Sequence, residues 1–70
     1  MDSDPVIQLN GSAHTLPPRS TVLGLLQSLG LAGIPVLVEH NTTALFPREF
    51  PDTFLADGDR VEIIRIVAGG

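Results

Sequence analysis

Alternation of apolar and polar positions begins early, in PVIQLNGSAHTL, where two short runs flank Asn10-Gly11. A two-residue connection of this kind needs positive φ at both positions, which asparagine and glycine supply, so the pattern predicts a hairpin with strands at about 5–10 and 12–16. Pro17-Pro18 ends the second strand, because neither proline can donate to a ladder. The period then changes. In STVLGLLQSLG, Val22, Leu25, Leu26 and Leu29 recur at i, i+3, i+4 and i+7, with Ser20 or Thr21 as the cap and Gly30 as the stop. One amphipathic helix is expected, and its interior Gly24, costing about 1 kcal/mol against alanine, suggests a close neighbour.

From Ile34 the residues turn β-branched. IPVLVEHN reads as a third strand, Asn41-Thr42-Thr43 as a turn and ALF as a short fourth strand. PREFPDTFL carries Pro47 and Pro51 and reads as a loop with a single helical turn, pinned to the core by Phe46, Phe50 and Phe54. Asp57-Gly58-Asp59 is a turn, followed by the strand RVEIIRIV. Alternation along that strand places Val61, Ile63, Arg65 and Val67 on one face and Glu62, Ile64 and Ile66 on the other. One helix can cover only one of these faces, so Ile64 and Ile66 are either shared with neighbouring strands or left as an apolar patch for a partner. The element order gives an α+β fold, one helix across a sheet of four or five strands, in a single domain spanning residues 1–70.

Composition narrows the chemistry. Seventy residues without cysteine exclude a disulfide framework, a thiolate metal site and a cysteine nucleophile. Eight carboxylates oppose four basic residues, all arginine. The net charge of −4 argues against nucleic acid as a ligand and favours a basic protein partner. His14 and His40 make a poor metal set, Asp57-Gly58-Asp59 lacks the distal ligands of a calcium loop, and no metal is expected. Asn41-Thr42-Thr43 fits a glycosylation acceptor, but the acidic start MDSDP is unlike a secretory signal. The apolar-rich runs at 34–38 and 61–67 are far too short to span a bilayer, so a cytoplasmic protein with no membrane partner is expected. No triad context or phosphate loop is present, and the chain is expected not to be an enzyme by itself.

The final strand ends in Ala68-Gly69-Gly70. Fully extended, three residues reach roughly 10 Å. Side chains no larger than a methyl can thread a narrow channel, and glycine accepts whatever φ the channel imposes. The expected role of residues 68–70 is an exposed tail that delivers the Gly70 carboxylate into another protein's active site. The absence of lysine removes side-chain amines that could capture that carboxyl once activated, although an arginine-preferring composition is the plainer explanation.

DGDRVEIIRIVAGG, VEHNTTALFPREF and TVLGLLQSLG together resemble the ThiS family of ubiquitin-like β-grasp sulfur carriers in thiamine biosynthesis. The resemblance covers essentially the whole chain. It rests on the Asn10-Gly11 hairpin, the valine-rich third strand leading to Asn41, Pro47-Arg48-Glu49, the Asp57-Gly58-Asp59 turn and the terminal diglycine. It implies a mixed sheet with the first and last strands parallel at its centre. It also implies adenylation of Gly70 by a ubiquitin-activating-type (ThiF-like) adenylyltransferase using ATP and Mg²⁺, with no cofactor bound by the carrier itself. A sulfur donor enzyme would then convert the adenylate to a thiocarboxylate, consumed by a ThiG-like thiazole synthase. Ile64, Ile66, Arg65 and Glu62 are the residues expected at the partner surface, with Ala68 and Gly69 in the tail. The MDSDP extension and the NTTALF run depart from the family pattern. Other roles open to the same pattern are the small subunit of molybdopterin synthase, another diglycine sulfur carrier, a ubiquitin-like protein modifier, and an interaction domain with an incidental tail.

Overall fold

Two asparagine-led turns set the frame of the sheet. In the computed structural model, which describes residues 3–67, Asn10 and Gly11 adopt φ of 49° and 83° and join strand β1 (Val6–Leu9) to β2 (Ser12–Thr15). The pairing is antiparallel, Val6 opposite Thr15 and Leu9 opposite Ser12. Asn41 and Thr42, at φ 49° and 71°, make the same kind of turn between β3 (Val36–His40) and β4 (Thr43–Leu45). Here a β-branched residue occupies the left-handed position, where glycine would be free of strain. Thr42→Gly is therefore expected to stabilise the domain by about 1 kcal/mol, the relief of left-handed strain exceeding the added chain entropy. Chemical denaturation checks this through a higher midpoint at unchanged slope.

Helix α1 (Val22–Ser28) starts at Thr21, whose Oγ1 accepts from the Gly24 N–H at 3.0 Å. That oxygen lies 3.4 Å from where a Gly24 Cβ would sit, and among the described residues no other element packs within 4 Å of that point. Val22, Leu25 and Leu26 are buried as expected. Leu29 is not. It forms the C-cap and is 38% exposed, because the helix ends at Ser28 before the stripe completes another turn.

Strand β5 (Arg60–Arg65) lies in the middle of a five-stranded sheet of order β2-β1-β5-β3-β4. It runs parallel to β1 and antiparallel to β3, the arrangement of the ubiquitin-like β-grasp fold. The β1–β5 ladder is made by Gln8 N to Asp59 O at 2.8 Å and Asn10 N to Val61 O at 2.9 Å. The Asn10 side chain prolongs it, accepting from Ile63 N at 2.8 Å and donating to Ile63 O at 3.3 Å. Asn10 thus shapes the first turn and fastens it to the last strand.

The core lies between the helix and one sheet face: Ile7, Val38, Val61 and Ile63 from the strands meet Val22, Leu25 and Leu26. Leu16, Phe50 and Leu55 close its ends. Phe50 belongs to a 3-10 helix, Pro47–Asp52, opened by the Glu49 carboxylate accepting from Phe46 N at 2.6 Å. Phe46 and Phe54 were expected in the core and are instead 59% and 61% exposed. Both lie outside that helix, Phe46 as its extended N-cap and Phe54 one residue past the C-cap Thr53, where it forms an antiparallel bridge to Thr21, so neither is carried onto the helix side that buries Phe50. Among the described residues no helix is long and apolar enough to cross a membrane.

Candidate functional site

Alternation along β5 sorts Val61 to Arg65 as the sequence predicts, but Ile66, past the end of the strand, borders a groove with Leu26 and Phe50 on the helix side and leaves the face of Glu62 and Ile64. Val61 and Ile63 enter the core, whereas Glu62 and Ile64 face away from the helix, Ile64 being 55% exposed. Antiparallel pairing with β3 places Leu37 opposite Ile64 and Glu39 opposite Glu62. Leu37 is 41% exposed, so an apolar cross-strand pair stands beside an acidic one on the uncovered face. Neither Leu37 nor Glu39 stood out in the sequence. Period-two alternation in the third strand carries the signal for their facing, but the strand register that brings them to Ile64 and Glu62 joins residues more than twenty positions apart.

The other two residues expected at the partner surface surround the exit of β5. Arg65, opposite Val36, borders a cavity of about 390 Å³ with Leu9, Asn10, Leu29, Leu31 and Ile63. Ile66 continues the pairing through its N–H to Pro35 O at 3.0 Å and is 58% exposed. It borders an apolar groove of about 360 Å³ with Leu23, Leu26, Pro35, Val36 and Phe50. The strand therefore leaves the sheet between two concavities, with an uncovered sheet face behind them. Ala68, Gly69 and Gly70 lie outside the described residues.

The Asp57-Gly58-Asp59 turn has a structural duty. Asp57 Oδ1 accepts from Val6 N at 2.7 Å, and Gly58, at φ 86°, donates its N–H to Val6 O at 2.8 Å. Asp59 Oδ2 accepts from Ala56 N at 2.8 Å and lies 2.7 Å from His40 Nε2, while Oδ1 accepts from Asn41 Nδ2 at 3.1 Å. Asn41 Oδ1 in turn accepts from Arg60 N at 2.8 Å. An ionised Asp59 can only accept, so His40 donates from Nε2. The cluster ties the β3–β4 turn to the start of β5. Among the described residues no three histidine, cysteine or carboxylate side chains come together as metal ligands.

Burial works to raise the Asp59 pKa, but the Ala56 N–H, His40 and Asn41 together outweigh it and hold the carboxyl below its ordinary value. A depressed folded-state pKa stabilises the domain above the unfolded value of about 3.9 and loses that contribution as pH falls through the folded value. Melting temperatures measured from pH 6 down to about pH 2 should drop more steeply for the wild type than for Asp59→Asn, which carries no such carboxylate. Parallel curves would remove Asp59 from the acid response.

The likeness to known proteins covers nearly the whole chain. A model of the ThiS family matches residues 7–70. An uncharacterized protein, ycf40, of Porphyra purpurea is 38% identical over 64 residues, 91% of this chain and 90% of that protein. A thiazole synthase of Magnetococcus marinus is 33% identical over 64 residues, and there the chain spans only 20% of the relative's length. Among solved structures, the crystal structure of a thiamine biosynthesis protein (ThiS) from Geobacter metallireducens superposes with a TM-score of 0.78 at 32% identity, covering 93% of this chain and 99% of that one. The match in sequence includes the Asn10-Gly11 turn and the last strand, and the match in structure extends over the same sheet and helix. By both measures the chain belongs to the ThiS family.

Proposed function

We propose that the protein is a sulfur carrier for thiazole formation in thiamine biosynthesis, with the Gly70 carboxyl as the group that is loaded and unloaded. The observation that carries this reading is the family match, which runs from the first strand through Gly70. The similarity of the chain to one segment of a thiazole synthase supports a partnership with that class of enzyme. A thiazole synthase that takes sulfur from this carrier is the expected consumer.

The chemistry follows from the carboxylate. Its reference pKa of about 3.3–3.7 makes it an anion at neutral pH and a poor electrophile. An adenylyltransferase binding ATP and Mg²⁺ supplies the activation. A Gly70 oxygen attacks the α-phosphorus, pyrophosphate leaves, and the product is an acyl-adenylate. A hydrosulfide equivalent from a donor enzyme then adds to the Gly70 carbonyl carbon. The carbon–sulfur bond forms as the bond to AMP breaks, leaving a thiocarboxylate. The carrier's contribution is presentation: Ile64 and Glu62 on the uncovered face, with Arg65 and Ile66 at the strand exit, form the surface that the partner holds while Ala68 and Gly69 enter its channel.

Complementation tests the pathway. Expression in a bacterium lacking its own thiamine sulfur carrier, alongside a compatible activating enzyme and thiazole synthase, should restore growth without thiamine. Rescue of molybdoenzyme activity in a molybdopterin-synthase mutant, without rescue of thiamine prototrophy, would assign the carrier to the other pathway.

A further inference from the structure

The uncovered sheet face carries a charge arrangement that the free domain does not use. Leu37 and Ile64 are directly opposed on β3 and β5, and two residues along, on the same face, Glu39 and Glu62 are directly opposed. Like charges in that relation weaken a sheet. Among the described residues no basic group forms an ion pair with either glutamate; the ion pair present is His40 with Asp59. Arg48 stacks over the Phe46 ring, 4.7 Å from its centroid. Arg65 borders the cavity on the helix side. Arg60 shares the face of Glu62, two positions away, without forming an ion pair to it. On the far side of Glu39 the strand partner is Ala44, too small to shield the carboxylate.

We propose that this face docks the adenylating enzyme through an arginine, received by the Glu39–Glu62 pair, with an adjoining apolar side chain packed on Leu37 and Ile64. The proposal rests on the function given above and names the partner chemistry its docking surface requires. Charge complementarity selects the occupant. The chain carries a net charge of −4, so a basic surface is the one its field attracts. A planar guanidinium presents several donors in a fixed fork and can bond two carboxylates at once, which an ammonium point charge does less well. An apolar pair alone would accept many surfaces, whereas the acidic pair rejects acidic ones and fixes the register of docking.

The test compares the full chain with Glu39→Gln, Glu62→Gln and the double variant, using Asp52→Asn, an exposed position at the end of the 3-10 helix, as the charge control. Affinity for the adenylating enzyme is measured calorimetrically at two salt concentrations, alongside the melting temperature of each free domain. The double variant should bind about tenfold or more weakly and lose most of the salt dependence, while melting at the same temperature as the wild type or higher. Weaker binding from a domain that is no less stable separates recognition from folding. Affinity and salt dependence equal to those of Asp52→Asn overturn the proposal while adenylation of the wild type upholds the carrier function. A wild-type chain that is neither bound nor adenylated overturns both.

Discussion

Deleting Gly70 alone is expected to abolish sulfur loading and leave the folded domain untouched. The shortened chain still ends in a glycine carboxylate, so the loss is one of reach and not of functional group. Each extended residue spans about 3.3–3.6 Å. A displacement of about 1 Å at a reacting centre can cost about a hundredfold in rate. The shortened carrier should therefore form acyl-adenylate at least about a hundredfold more slowly, as measured by ATP–pyrophosphate exchange with the activating enzyme. Its melting temperature should match the wild type, because the buried cluster ends at Ile63 and the last described backbone bond of the strand is Ile66 N to Pro35 O. Equal adenylation rates would show that the reach of the terminal carboxylate does not limit the reaction.

Ile7→Ala is expected to have the opposite profile, losing the fold while sparing the reacting end. Ile7 is fully buried at the centre of the sheet, on β1 beside β5. Truncating a buried isoleucine to alanine costs about 2–5 kcal/mol. A domain of this length has a total stability of about 4–10 kcal/mol, at about 0.05–0.15 kcal/mol per residue. The variant should therefore lose up to half or more of its stability, seen as a large fall in the urea midpoint. Leu37→Ala, on the uncovered face of β3, should fall by much less. Similar losses for the two would mean that both faces of the sheet are buried.

The contrast between Ile7 and Leu37 also marks what was legible in the sequence. Features governed by neighbours in the chain could be read directly: the Asn10-Gly11 turn, a helix cap at Ser20 or Thr21, the inward and outward sides of β5. Each depends on local φ, local hydrogen bonding or a fixed period. The sequence leaves an apolar patch as one of two options for Ile64 and Ile66, since alternation gives the side of a strand and not what covers it; Ile64 joins the patch with Leu37, whereas Ile66 borders the helix-side groove. Leu37 and Glu39 were missed because their significance lies in the register against β5. The His40–Asp59–Asn41 cluster was missed for the same reason, its members being close only once β3 and β5 have paired. Phe46 and Phe54 were placed in the core on hydrophobicity alone. Of the three phenylalanines only Phe50 lies within Pro47–Asp52, and only it is buried.

The same register explains why a small domain tolerates an acidic pair on an open face. Its core is complete on the helix side, where Ile7, Val38, Val61 and Ile63 supply the burial, so the other face is free to serve a partner at a modest loss in stability. The left-handed Thr42 adds a further strain, held in place by the Asn41 bonds to Asp59 and Arg60.

Intact mass spectrometry reads the state of the final carboxyl without a genetic background. The full chain is incubated with an adenylating enzyme, ATP, Mg²⁺ and a sulfur donor, then weighed and fragmented. One oxygen should be replaced by sulfur, at Gly70 and only when ATP is present. An unchanged mass, in a mixture that loads a known member of the family, would mean that Gly70 does not carry sulfur.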